Sequence, residues 1–112
     1  MIVEWKCKME EKEMVNHIVL WNFKEEMTDT EKKEAAIRMK NELEAIKEQV
    51  PGTISIKVVT DNLASSNKDV GLISVFETEE ALKAYQVHPA HVAAGTFIKS
   101  VTTGRTCLDY EE

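Results

Sequence analysis

Between Val15 and Lys24 the chain reads Val-Asn-His-Ile-Val-Leu-Trp-Asn-Phe-Lys. β-Branched and aromatic residues dominate this stretch, so it predicts a strand. Side chains alternate across a strand, which puts His17, Val19, Trp21 and Phe23 on one face and Ile18 and Leu20 on the other. A strand that is apolar on both faces has to be covered twice. A chain of 112 residues builds one core, with helices enough for one of those faces. The second face needs another surface.

The remaining elements follow from local signals. Thr28-Asp29-Thr30-Glu31 offers a capping box that opens a long helix. Along it Ala35, Ala36, Met39, Leu43, Ile46 and Val50 form an apolar stripe on a charged cylinder, and Pro51-Gly52 stops it. Thr53 to Thr60 carries Ile54, Ile56 and Val58 on one face and predicts a second strand. Asp61 to Asp69 is a polar connection, and Val70 to Glu77 predicts a third strand. Thr78 caps a short helix bearing Ala81, Leu82 and Tyr85. His88-Pro89 interrupts it, because a residue before proline avoids the helical region; Pro89 then starts another helix that runs to the neighbourhood of Ile98. Thr106 to Tyr110 predicts the last strand. The order β-α-β-β-α-β is the ferredoxin-like plan, an α+β domain with one antiparallel sheet and its helices on one face. Ile18, Leu20 and Val59 are the candidates for the uncovered face. Its simplest cover is the same sheet of a second subunit, so a homodimer through sheet-to-sheet contact is expected.

Charge narrows the function classes. Lys and Arg number 14 against 20 Asp and Glu, a net charge of −6. That balance opposes a nucleic-acid or anionic-membrane binder, since both require a basic face. No apolar run approaches the ~20 residues of a membrane span. Cys7 and Cys107 lie far apart and form no C-x-x-C pair, which argues against a disulfide scaffold or a cysteine-based zinc site. Residues 15–112 read as the domain and residues 1–14 as an amino-terminal extension. Met1 to Glu13 lacks the apolar segment of a signal peptide, so a cytoplasmic location is expected. This stretch reads either as an extra strand or frayed arm, or as untranslated sequence upstream of a natural start at Met14. The codons for Met9 to Glu13 could spell a purine-rich ribosome-binding sequence.

The histidines are the candidate chemistry. His17 lies on the first strand; His88 and His91 lie in Tyr85-Gln86-Val87-His88-Pro89-Ala90-His91. Imidazole titrates near neutral pH, so two of them beside a phenol make an acid–base group. In the first turn of a helix, His91 would feel the positive end of the dipole and stay available as a neutral base. The plainer alternative is that His88 and His91 satisfy backbone groups at a helix break. No metal is expected, because no carboxylate or cysteine is fixed near the histidines by spacing. No cofactor is called for either: there is no glycine-rich phosphate loop and no G-x-S-x-G elbow. Met39, Leu43, Ile46 and Val50 read as core, and core packing also outweighs ligand stacking for Trp21 and Phe23.

The strand His17 to Lys24, the Val50-Pro51-Gly52 turn, the Tyr85-x-x-His-Pro-x-His91 motif followed by Val92, and the ending Asp109-Tyr110 together resemble the stress-responsive A/B barrel family. The resemblance spans Val15 to Tyr110, with Trp21 standing at the family's usual Phe position. It implies a ferredoxin-like subunit whose sheet closes into a dimeric barrel with that of its partner. A plant member is a polyketide cyclase acting by an aldol reaction through a tyrosine and a histidine, which fall on Tyr85 and His91. That cyclase carries a further histidine on the strand before the motif helix, whereas Val70 to Phe76 has none. The expected function is a small-molecule binder or a cofactor-independent enzyme working on a carbonyl compound. In that role His91 and Tyr85 are catalytic and His17 and His88 hold the ligand. A non-enzymatic stress-associated dimer stands as the alternative, with a small oxygenase of the wider dimeric barrel superfamily behind it.

Overall fold

The computed structural model describes residues 13–112. The readings of Met1 to Lys12 lie outside the described residues. At the boundary, Met14 and Glu112 exchange two main-chain hydrogen bonds of 2.9 Å, which prolong the sheet.

Four strands form one antiparallel sheet: β1 (Val15–Phe23), β2 (Thr53–Val59), β3 (Val70–Phe76) and β4 (Thr102–Glu111). Their spatial order is β2-β3-β1-β4. Among the described residues three helices connect them: α1 (Asp29–Ala45), α2 (Glu79–Val87) and α3 (Pro89–Val101), with a 3₁₀ segment, Ile46–Gln49, extending α1. This is the ferredoxin-like α+β fold expected from the sequence. The helix starts are chemical. Thr28 Oγ1 accepts from the Glu31 N–H at 3.1 Å while Glu31 Oε1 accepts from the Thr28 N–H at 2.7 Å, a complete capping box. Thr78 Oγ1 accepts from the Ala81 N–H at 3.1 Å and starts α2.

Most strand ends fall within a residue of those expected, but the junction of α3 with β4 moved. β4 begins at Thr102 rather than Thr106, and α3 runs on to Val101. The polar segment Thr102 to Arg105 becomes strand because it pairs with β1, where Phe23 meets Thr102 and Asn22 meets Thr103. A bulge between Leu20 and Asn22 absorbs the mismatch, opposite Gly104 at φ +63°.

The core lies between the sheet and the helices. Val15, Val19, Trp21 and Phe23 from β1 join Met39, Leu43 and Ile46 of the first helical segment and Tyr85 and Ile98 of α2 and α3 in one buried cluster. Among the described residues, no helix covers the opposite face, which carries an apolar row. Ile73, Ile18 and Leu108 sit side by side on β3, β1 and β4, and Ile73 and Leu108 are 38% and 59% exposed. Leu20 and Val59 are half-buried on the same side. Among the described residues no helix is long and apolar enough to cross a membrane.

Candidate functional site

The helix break at Pro89 shapes the site. α2 ends at Val87, His88 takes extended angles (φ −62°, ψ 137°), and α3 starts on the proline. His88 Nδ1 accepts from the Ala90 N–H at 3.1 Å, so this side chain caps α3. It is not among the residues that line the cavity described below. Three residues further on, His91 Nδ1 lies 3.0 Å from the Gln86 carbonyl oxygen. A carbonyl can only accept, so Nδ1 carries the proton and donates; in the neutral ring Nε2 then holds the lone pair.

Tyr85 is completely buried on α2, with its ring 5.0 Å from that of Phe76 and 4.5 Å from the His91 imidazole. On its other side the His17 ring meets it edge-on at 6.2 Å. The Tyr85 hydroxyl is buried and has no hydrogen-bond partner among the described residues. An orphaned buried hydroxyl costs about 1–3 kcal/mol, an expense that a bound acceptor would offset.

His17, Tyr85 and His91 line one cavity of about 390 Å³. Trp21, Leu43 and Ile98 give it an apolar wall, and Arg105 contributes a cation. The volume and the few polar groups on an apolar lining suit a small organic ligand. Trp21 thus serves both core and cavity, which its place on the β1 core face allows.

Burial sets the charge states. It holds the His91 pKa below the ordinary imidazole range, and the charges of His17 and Arg105 push the same way, against a partial lift from the Gln86 carbonyl. The Tyr85 phenol is pushed well up by burial, so it stays protonated and can donate. The site therefore presents a neutral imidazole and a neutral phenol in contact.

His17 is fixed by its strand. Its main-chain carbonyl accepts from the Ser74 hydroxyl at 2.7 Å, and its Nδ1 donates to the Asp109 carboxylate. Cys107 Sγ stands 3.9 Å from the same Nδ1 and 3.6 Å from Asp109 Oδ1. Spacing along the chain gave no carboxylate or cysteine beside a histidine, yet the sheet supplies both. Antiparallel pairing sets Asp109 opposite His17 and Cys107 opposite Val19, on the helix-facing side. The available signal was the Cys107-x-Asp109 alternation, which puts both side chains on one face of the last strand.

The family model described as "Stress responsive A/B Barrel Domain" matches residues 15–112. Olivetolic acid cyclase of Cannabis sativa is 27% identical over 103 residues, covering 86% of this chain and 94% of the cyclase. A dimeric protein of unknown function with a ferredoxin-like fold from Bacteroides fragilis superposes with a TM-score of 0.83 at 30% identity, over 88% of this chain and 96% of its own. The hydroxynitrile lyase of Passiflora edulis shares the fold at 17% identity, with a TM-score of 0.70 over 91% of this chain and 95% of its own. One architecture thus carries unrelated chemistries, and the site has to be read from its own residues. By the match over residues 15–112, this chain belongs to the stress responsive A/B barrel domain family.

Proposed function

We propose that the cavity binds a small carbonyl compound with an apolar body and moves a proton at the carbon next to its carbonyl group. His91 Nε2 is the base. It takes the α-proton, the C–H electron pair forms the enolate double bond, and the carbonyl π pair moves to oxygen. The Tyr85 hydroxyl donates to that oxygen as charge develops. His17, held by Asp109, borders the same space and orients the ligand. The enolate carbon then bonds to a second carbonyl carbon of the same substrate, whose π pair moves to its oxygen and takes the proton from the His91 imidazolium; with no second carbonyl in reach, that proton returns to the α-carbon. The observation that carries this reading is the buried Tyr85 hydroxyl, without a hydrogen-bond partner among the described residues, on a ring packed against an imidazole whose free nitrogen is Nε2. The similarity to a cyclase at 27% identity supports it.

The competing reading is a structural cluster in a non-enzymatic dimer. The cap made by His88 favours that role for His88 itself. The dimer is part of both readings: the exposed apolar row on the sheet supports it, and solved structures of the same fold are described as dimeric.

The experiment is α-proton exchange in heavy water, followed by NMR, with benzylacetone and a panel of apolar ketones and β-keto thioesters as probes. Protein-dependent deuterium incorporation is expected. His91→Ala should abolish it, and Tyr85→Phe should lower it about 100- to 1,000-fold, the effect of losing one oxyanion donor. Tyr85→Phe should leave the thermal midpoint unchanged or raised, because no hydrogen bond is lost with the hydroxyl. Exchange that survives both substitutions would refute the assignment, as would a Tyr85→Phe protein that loses stability but no activity.

A further inference from the structure

We infer that β1 and β4 carry a binding site for a thiophilic divalent cation of the zinc type, with His17 Nδ1, Cys107 Sγ and the Asp109 carboxylate as ligands. This goes beyond the proton-transfer reading: His17 and Asp109, which orient the ligand there, are shared, while the base His91 and the donor Tyr85 take no part and the metal is read out by its own spectrum.

The three donor atoms lie within 4.8 Å of one another. Their convergence comes from the sheet and not from a loop. Cys107 and Asp109 are alternate residues of β4 on the side facing the helices, and the antiparallel register places Asp109 directly across from His17. A tetrahedral zinc ion with Zn–S near ~2.3 Å and Zn–N and Zn–O near ~2.0 Å sets its ligand atoms roughly 3.3–3.6 Å apart. The sulfur already stands 3.6 Å from the carboxylate oxygen and 3.9 Å from the ring nitrogen. Two edges of the polyhedron are therefore close to size.

The third edge, Nδ1 to carboxylate, is spanned by a hydrogen bond. A cation would replace that proton, and the contact has to open to reach the tetrahedral spacing. Asp109 can supply the movement, for its side chain is 42% exposed while that of His17 is 3% exposed. The site thus has one rigid ligand and two adjustable ones at the sheet edge.

Donor chemistry selects the ion. One thiolate, one imidazole and one carboxylate suit zinc, cobalt or a similar metal. Magnesium and calcium want six or more oxygens, which this strand pair lacks. Three protein ligands would leave the fourth position open for water or a ligand atom.

The test uses tag-free full-length protein stripped with chelator and titrated with cobalt(II). One cobalt per chain is expected, with a thiolate-to-cobalt charge-transfer band in the near ultraviolet that zinc displaces. Cys107→Ser should remove the band, while Cys7→Ser should leave it unchanged. Asp109→Asn and His17→Gln should each weaken binding by about tenfold or more, at least as much as loss of a supporting group costs a metal site. Zinc should raise the thermal midpoint of the parent protein and not that of Cys107→Ser, an exposed position where the substitution spares the core. A band that follows Cys7 would overturn the site. So would a band that persists in Cys107→Ser, or a parent protein that takes up no stoichiometric metal.

Discussion

At the scale of single residues, His91 is held in one tautomer by the Gln86 carbonyl and in one charge state by burial. This has a measurable consequence for stability. The folded-state pKa lies below the unfolded value of about 6.5, so between the two the unfolded chain binds the extra proton. Stability is therefore full above the unfolded pKa and falls as the pH drops through it toward the folded one. Thermal midpoints measured from about pH 8 down to about pH 5 should decline, and His91→Gln should flatten that part of the profile. A parent and variant with parallel profiles would place the titration elsewhere. Tyr85 and His91 could be picked out in the sequence because a proline fixes the local geometry around them, whereas His88, expected to hold the ligand, caps α3 outside the cavity. Asp109 and Cys107 were not legible as partners of His17. Ninety-odd residues separate them, and only strand register brings them together.

At the scale of elements, the turn between the first helical layer and β2 depends on Gly52. Its φ is +88°, a left-handed conformation that costs a residue with a Cβ about 1–2 kcal/mol. A Cβ there would also meet the Ala81 Cβ at 2.8 Å, at the start of α2. The Gly52 carbonyl accepts from the Glu77 N–H at 2.8 Å, so the turn cannot simply swing away. Gly52→Ala should lower the unfolding free energy by about 2–4 kcal/mol, strain and crowding together. Urea denaturation should show a lower midpoint with an unchanged slope. A variant within about 0.5 kcal/mol of the parent would show that the turn relaxes freely. The helix starts at Thr28, Thr78 and Pro89 were readable because each cap is built from residues a few positions apart. The start of β4 was not. Thr102 to Arg105 has little intrinsic strand character, and pairing with Asn22 and Phe23 recruits it.

At the scale of the whole molecule, the row Ile73, Ile18 and Leu108 crosses three strands on the side away from every helix. Contiguous apolar surface of this kind marks an interaction site. The chain should sediment as a dimer at micromolar concentration, burying on the order of 2,000 Å² in total. Charges placed in the row, as in Ile18→Asp with Leu108→Asp, should lower the sedimenting mass to one subunit or unfold the chain. A parent protein that stays monomeric would remove the basis for a shared sheet interface.

The alternation of Val15 to Phe23, the helix caps at Thr28 and Thr78 and the His88-Pro89 break settled element types, their order and the two faces of β1. Each of these is a short-range property, governed by side-chain alternation, hydrogen bonds over a few residues or the fixed φ of proline. The motif around Tyr85 likewise announced its own residues. Tertiary structure alone decided that the Tyr85 hydroxyl lies buried without a partner among the described residues and that Nδ1 of His91 is the protonated nitrogen. It alone decided that Cys107 and Asp109 face His17. Those outcomes depend on register and burial, which follow from how distant segments pack and carry no local signature.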